Sequence, residues 1–248
     1  MKYNKYYKDN NIIHVINIDI NEISKLIGNI DSIYSVNSDF NTEFNKRFDE
    51  LSKDNSRINI RLDKVYSNYG NRVLLNKLMT QNINCYRSNS NKKNINIYYD
   101  LINKYNANKD EIINRFVITL ELLKRLSRLG YNINFIPTLF LKAFDKIDNN
   151  EYVLIEINNL NVNNIMNYNL ILNSDVSTLL LPKLIKLIDI ENKHELDYNG
   201  YLLERTEKES ILNLSSNDIL IDIFTSDELF NGDIFHDKDI FYKKLILK

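Results

Sequence analysis

Acidic residues near predicted strand ends are the side chains in this sequence whose types and positions could do chemistry. Asp100 follows a short apolar run, Asp222 and Asp227 lie in and just after a second run, and Glu156 lies within a third. Two or three converging carboxylates suit metal-dependent hydrolysis or phosphoryl transfer, because hard cations such as Mg²⁺ prefer oxygen ligands. The alternative is that strand alternation points Asp222 and Glu156 to an exposed face, where water solvates them.

Histidine and cysteine offer less chemistry. His14 lies within an alternating apolar stretch and is predicted to be a packed or edge residue, while His194 lies in a charged stretch and is predicted to be solvated. His236 precedes an acidic residue near a predicted helix start. No His-x-x-x-His or Cys/His cluster supplies a zinc site. Cys85 is the only cysteine, so the chain cannot form an internal disulfide, and this suits a reducing compartment.

A long predicted helix, Asp110 to Leu129, determines the architecture around Asp100. Its apolar residues form one wide stripe, its first turn is acidic, its last turn is basic, and Gly130 suits the C-terminal cap. The strand Asn94–Tyr99 precedes this helix and the strand Tyr131–Ile136 follows it. This order is a βαβ unit, which places parallel strands beside each other.

The segments after this unit extend the sheet. Two strands, Ile133–Phe140 and Tyr152–Asn158, follow without a helix between them and are predicted to form an antiparallel hairpin. Pro137 favours an edge or irregular position, because proline cannot donate to a ladder. The later predicted elements are a helix at Val176–Ile188, a strand at Asp218–Phe224 and a helix at Asp237–Lys248. The prediction is an α/β fold with a mostly parallel sheet, one antiparallel hairpin strand, and helices on both faces.

Residues 1–92 are predicted to form a small α+β appendage, and residues 93–248 the α/β domain. Phe40, Phe44 and Phe48 recur every four residues, which predicts an amphipathic helix whose stripe is either core or a partner-binding face. The other elements predicted here are a strand at Ile12–Ile18, a helix at Asn21–Ile30 and a helix at Asn71–Met79.

Composition excludes several classes of protein. The hydrophobic fraction of 44% and the net charge of −1 exclude wholesale disorder. Basic and acidic residues balance, 32 against 33, which disfavours a nucleic-acid partner. Gly 5 and Pro 2 fall far below the roughly 17 and 12 of average usage, while Asn, Ile, Lys and Tyr are abundant. This bias is typical of an AT-rich genome. No signal peptide or membrane-length apolar run is visible, so we expect a soluble protein.

The element order resembles the first part of a von Willebrand factor A-like domain, which has a Rossmann-like α/β fold. The stretch DILIDIFTSDEL (Asp218 to Leu229) resembles the central strand and acidic turn of that fold. The stretch LDKVYSNYGNRVLLNKLMTQNINC (Leu62 to Cys85) is similar to uncharacterised phage-encoded proteins with a degenerate domain of this kind. The resemblance covers about residues 62–245.

The resemblance implies a metal site that this chain has altered. The family's site uses an Asp-x-Ser-x-Ser loop after the first strand, and the corresponding residues here are Asp100, Ile102 and Lys104. Isoleucine cannot coordinate a cation through its side chain, and lysine repels one. Asp227 could supply an oxygen at the neighbouring strand end. Asp100 and Asp227 are therefore the candidate ligands for Mg²⁺, and no other cofactor is expected.

The altered loop favours a non-enzymatic viral or phage protein that binds a protein partner or self-assembles. Such a component would act in the host-cell cytoplasm or be incorporated in the virion. The 16 tyrosines suit interfaces, although base bias also raises their number. The alternative is a metal-dependent hydrolase or nuclease that uses carboxylates at the strand carboxyl ends. Host-defence antagonism and a ribosomal accessory role are further alternatives.

Overall fold

A computed structural model describes residues 1–9, 11–27, 38–53, 66–67, 72–73, 86–87, 94–102, 109–128, 131–144, 150–158, 203–214, 218–222 and 233–246. The elements in chain order are β1 (Lys2–Lys8), β2 (Asn11–Asp19), α1 (Ile20–Ile27), α2 (Ser38–Ser52), β3 (Tyr66–Ser67), β4 (Arg72–Val73), β5 (Tyr86–Arg87), β6 (Asn94–Asp100), α3 (Lys109–Arg128), β7 (Asn132–Phe144), β8 (Asn150–Asn158), α4 (Arg205–Leu212), β9 (Ile219–Ile221) and α5 (Ile234–Ile246).

A six-stranded sheet in the order β1-β2-β8-β7-β6-β9 forms the centre of the molecule. The pairings β2–β8, β6–β7 and β6–β9 are parallel, and the pairings β1–β2 and β7–β8 are antiparallel. The predicted α/β class, the mostly parallel sheet and the β7–β8 hairpin are therefore confirmed. The strand β7 changes partner at Thr138, which pairs with Asp100 on one side and with Glu156 on the other.

The sheet separates two apolar cores because successive side chains of a strand point to opposite faces. In β8, Val153 and Ile155 lie in one core, and Tyr152 and Leu154 lie in the other. The helices α1, α2, α3 and α5 contribute to the first core through Ile23, Phe44, Phe116 and Phe241. The helix α4 contributes Ile211 to the second core. Helices on both faces are thus confirmed.

The helix α3 folds as its sequence predicts. Asp110 and Glu111 lie in its first turn, and Arg125 and Arg128 lie in its last turn, which suits the helix dipole. Its apolar stripe is buried against the sheet and against α2 and α5. The fully buried members of the stripe are Ile113, Phe116, Val117, Ile118, Leu122 and Leu126.

The N-terminal segment joins the main sheet, because β2 pairs with β8 along its length. In α2, Phe44 is buried, and its ring centroid lies 5.8 Å from that of Phe116. Phe48 stacks on Phe44, and the Lys124 ammonium lies 5.2 Å from the Phe48 ring centroid. These contacts confirm the core role predicted for this stripe. The division of the chain after residue 92 stays a prediction. The six-stranded sheet contains strands from both sides of that position.

Pro137 is not at an edge, which corrects the sequence prediction. It lies in β7, between β6 and β8, and pairs in register with Tyr99. The Thr138 carbonyl faces β6, where it accepts a hydrogen bond of 2.8 Å from the Leu101 amide. Because neighbouring residues of a strand face opposite ways, the proline nitrogen faces β8, one residue before that ladder begins at Thr138. The missing N–H therefore costs no ladder hydrogen bond.

The predicted helix Asn71–Met79 is wrong at Arg72–Val73, which form β4 in a second, three-stranded sheet with β3 and β5. The local sequence favours a helix, but these two residues pair instead with the strand Tyr86–Arg87. The predicted helix at Val176–Ile188 lies outside the described residues. None of the helices in the described ranges has both the length and the apolarity needed to cross a membrane.

Two phenylalanines of α5 provide a matched test of the core. Phe241 is 1% exposed and Phe235 is 44% exposed. We expect Phe241→Ala to lower the free energy of unfolding by about 3–5 kcal/mol, because it removes a buried ring and leaves a cavity. The control Phe235→Ala should change it by only about 0.5 kcal/mol. Urea denaturation measures both values, and equal losses would contradict the burial of Phe241.

Candidate active site

Three neighbouring parallel strands bring polar side chains to one end of the sheet. Asp100 ends β6 in register with Thr138 of β7, and Asp222 follows β9 beside it, since Ile221 pairs with Tyr99. Tyr98 and Leu220 belong to the core on the α4 side, so Asp100 and Asp222, two residues further along, face α4 as well. Both carboxylates and the Thr138 hydroxyl are buried.

Lys208 of α4 joins the two carboxylates. Its ammonium nitrogen lies 2.8 Å from Asp100 Oδ2 and donates a hydrogen bond to Asp222 Oδ1. Asp100 Oδ1 accepts a hydrogen bond of 2.9 Å from the Ile102 amide. The Oδ2 atom is close enough to Lys208 for an ion pair but has no partner in hydrogen-bond geometry. We refer to Asp100, Asp222, Lys208 and Thr138 as the strand-end cluster.

Local sequence explains why α4 presents Lys208 to the sheet. The Glu204 amide donates a 3.0 Å hydrogen bond to Glu207 Oε2, which satisfies a backbone donor at the start of the helix. Asn213 ends the helix with a φ of 50°, a left-handed conformation that asparagine tolerates. Lys208 and Ile211 are three residues apart, so both point to the sheet. Arg205 adds a 3.3 Å hydrogen bond to the Leu220 carbonyl.

Contacts from α3 fix the end of β6 from the opposite face. Arg115 Nη2 donates a 2.6 Å hydrogen bond to the Asp100 carbonyl, and its Nε donates a 2.9 Å bond to the Tyr99 hydroxyl. The guanidinium carbon lies 4.5 Å from the Tyr99 ring centroid. The Thr138 hydroxyl donates to the Tyr99 carbonyl at 3.2 Å. The Asp100 side chain therefore starts from a backbone that is held on both sides.

Burial sets the electrostatics of the cluster. Removal from water raises the pKa of the Asp100 carboxyl, and the Lys208 ammonium opposes that rise. The nearby Asp222 carboxylate adds to the rise. Glu156 of β8 faces the same side of the sheet and is half-buried, and burial raises its pKa. Lys208 thus favours the ionised form of Asp100 in an environment that otherwise disfavours it.

The structure tests the sequence candidates individually. The carboxylates of Asp100 and Asp222 both contact Lys208. Thr138 pairs in register with Asp100 on one side and with Glu156 on the other, so Glu156 lies level with Asp100 in the sheet. Asp227 lies outside the described residues. Within the described ranges, no three His, Cys, Asp or Glu side chains group closely enough to hold a metal ion. The predicted Mg²⁺ site at Asp100 and Asp227 stays a prediction, and the ammonium lies where a cation would approach Asp100.

Sequence reasoning missed Lys208. It lies in a polar connection, residues 197–213, that contains as many charged as apolar residues, and its immediate neighbours are charged or polar. The only available signal is the pairing of Lys208 with Ile211 at a three-residue spacing, which places both on one helical face.

His14 belongs to a separate buried group. It is 0% exposed, its Nδ1 lies 2.7 Å from the Tyr3 hydroxyl, and its Nε2 forms a hydrogen bond with Glu151. The prediction of a packed histidine is confirmed. His236 is exposed in the first turn of α5, where its amide donates to Asp233 Oδ1 at 3.4 Å. His194 lies outside the described residues.

No protein-family model, curated protein or solved structure matches this chain. The resemblance to von Willebrand factor A-like domains and to phage-encoded proteins therefore stays a prediction.

Removal of the ammonium tests the ion pair. We expect Lys208→Met to lower the free energy of unfolding by about 3–5 kcal/mol at neutral pH, because two buried carboxylates lose their cation. The folded-state pKa of Asp100 lies above its unfolded value, so the penalty for ionising it exists above the folded pKa and vanishes below the unfolded one. The loss of unfolding free energy caused by Lys208→Met should therefore be large at about pH 8 and shrink towards about pH 4.

Lys142→Met is the matched control. Lys142 pairs with Glu207 at 3.1 Å, but both side chains are partly exposed, so we expect a loss of about 1 kcal/mol or less. Urea denaturation across this pH range gives both values. A pH-independent loss for Lys208→Met would show that the ammonium does not control the ionisation of Asp100.

Proposed function

We propose that this chain is a phosphoryl-transfer enzyme that hydrolyses phosphate esters, with Asp100 as the nucleophile. The observation that carries the proposal is the strand-end cluster, in which two carboxylates, an ammonium and a hydroxyl meet at the ends of three adjacent parallel strands. Ligands of open α/β sheets bind beyond the carboxyl ends of the strands. This function belongs to the hydrolase alternative drawn from the sequence.

The energetics of the cluster also support a functional role. Burying an ion pair contributes little stability compared with apolar side chains of similar volume, because both charges lose their hydration. Asp100 is 0% exposed and Lys208 is 2% exposed, so this desolvation is severe. Perturbed ionisable groups of this kind concentrate at functional sites.

Asp100 and Lys208 have defined roles in the proposed reaction. An Asp100 carboxylate oxygen attacks phosphorus, the ester P–O bond breaks, the leaving oxygen takes up a proton and departs as an alcohol, and an aspartyl phosphate forms. Water then attacks the phosphorus and gives up one proton, the bond to Asp100 breaks, inorganic phosphate leaves, and the Asp100 carboxylate is restored. In this role the Lys208 ammonium, which contacts Asp100 Oδ2 at 2.8 Å in this structure, transfers from that oxygen to the phosphate oxygens and stabilises their charge in the transition state. Asp100 Oδ2 is the attacking atom, since Oδ1 accepts from the Ile102 amide.

Asp100 and Asp222 offer carboxylate oxygens of the kind that Mg²⁺ prefers, but among the described residues the Lys208 ammonium contacts both of them and takes the place of a cation. Turnover with and without added Mg²⁺ measures metal dependence directly.

The protein-binding and virion-assembly role, a phage or viral source and a host-cell location stay predictions from the resemblance. The binding and assembly role differs from the proposed enzyme in one measurable respect, which is whether the purified chain turns over a phosphate ester.

The first test of the proposal is hydrolysis of p-nitrophenyl phosphate with and without Mg²⁺. We expect turnover by the wild-type chain and a loss of about 10³-fold or more in kcat for Asp100→Asn, because the amide is a poor nucleophile. The covalent step also predicts a labelled protein band from radioactive substrate, stable in acid, released by hydroxylamine and absent from Asp100→Asn.

Asp49→Asn is the matched control, because Asp49 is an exposed aspartate of α2 on the other side of the sheet. Circular dichroism should show that both variants fold. A wild-type chain with no turnover of any phosphate ester would overturn the proposal and favour the binding role.

A further inference from the structure

Glu156 is a carboxyl group that lies level with the strand-end cluster in the sheet but takes part in none of the cluster's hydrogen bonds or ion pairs. It pairs in register with Thr138, which in turn pairs with Asp100. Tyr152 and Leu154 belong to the core on the α4 side, so Glu156, on the same strand, faces α4 too. Neighbouring strands are about 4.8 Å apart, which places the backbones of Glu156 and Asp100 about 10 Å apart.

This separation suits a group that protonates the leaving oxygen of a phosphate ester. Two side chains that point to the same face can approach a phosphate between them from opposite sides. Asp100 would reach the phosphorus, and Glu156 would reach the ester oxygen that departs. Asp222 is a weaker candidate for that role, because its Oδ1 already accepts from Lys208.

The surroundings of Glu156 favour its protonated form. It is half-buried, and among the described residues it makes neither an ion pair nor a hydrogen bond. The titratable groups that face it are the phenols of Tyr6 on β1 and Tyr98 on β6. Burial, then Glu156 and Asp218, raise the pKa of Tyr98 to about 12, and burial and Glu156 raise that of Tyr6. Both phenols therefore stay neutral around pH 7 and provide no counter-charge to Glu156.

We propose that Glu156 is the general acid and base of the reaction, an inference that rests on the proposed function. As the P–O bond breaks, the carboxyl of Glu156 gives its proton to the leaving oxygen, which departs as an alcohol. Glu156 is then a carboxylate, and it takes a proton from the water that attacks the aspartyl phosphate. The cycle consumes one ester and one water, yields one alcohol and one phosphate, and restores both carboxyl groups.

The leaving group provides a sharp test. Phenyl phosphate needs a proton for its leaving oxygen far more than p-nitrophenyl phosphate does, because p-nitrophenolate is a stable anion. We expect Glu156→Gln to lower kcat/KM, which reports only the step that forms the aspartyl phosphate, by about 10²–10³-fold for phenyl phosphate and by less than about 10-fold for p-nitrophenyl phosphate. The fall of kcat/KM at alkaline pH, which reports loss of the acid's proton, should disappear with phenyl phosphate.

Glu50→Gln, an exposed glutamate of α2, is the matched control and should leave both substrates and the pH profile unchanged. Should Glu156→Gln fail to fold, Glu156→Asp retains a carboxyl group and should show a partial loss with the same dependence on leaving group. Equal losses of kcat/KM on both substrates, with the alkaline fall retained, would overturn the role of Glu156.

The outcomes separate the two proposals. A wild-type chain without phosphatase activity overturns both of them. An active chain that loses turnover in Asp100→Asn but keeps the wild-type dependence on leaving group in Glu156→Gln overturns only the assignment of Glu156.

Discussion

The ion pair between Lys208 and the carboxylates of Asp100 and Asp222 is the constraint on which the rest of the candidate site depends. It crosses from a helix to the ends of two strands in a buried region, where an uncompensated charge is very costly. The two strand ends and α4 must therefore keep their relative positions. Because a buried ion pair contributes little stability compared with apolar side chains of similar volume, packing alone does not account for these three residues.

Periodicity alone predicted the frame of the fold. The stripe of α3 has a spacing that only a helix can bury on one side, and the alternation along β2 and β8 suits only strands. Asp100 was identified as a candidate because a carboxylate at the end of a predicted parallel strand has a known place in an α/β fold. The convergence of Asp222 with it follows from the β6–β9 pairing, which the sequence does not encode locally.

The residues that the sequence could not place depend on contacts between distant segments. Lys208 is 108 positions from Asp100 along the chain, and only the docking of α4 on the sheet makes it buried. Pro137 was predicted at an edge or irregular position because proline disrupts ladders, and a change of partner within one strand accommodates it inside the sheet. In both cases a local rule was sound, and the tertiary arrangement decided the outcome.

The change of partner along β7 gives the sheet a step. The strand β6 stops at Asp100, level with Thr138, whereas β7 continues with β8 for six more residues, to Phe144, or about 20 Å. The part of the β7–β8 hairpin beyond Thr138 therefore projects past the carboxyl end of β6. Under the proposed function, a substrate bound at Asp100 would lie next to this projecting part of the hairpin, whose residues would influence which substrates fit.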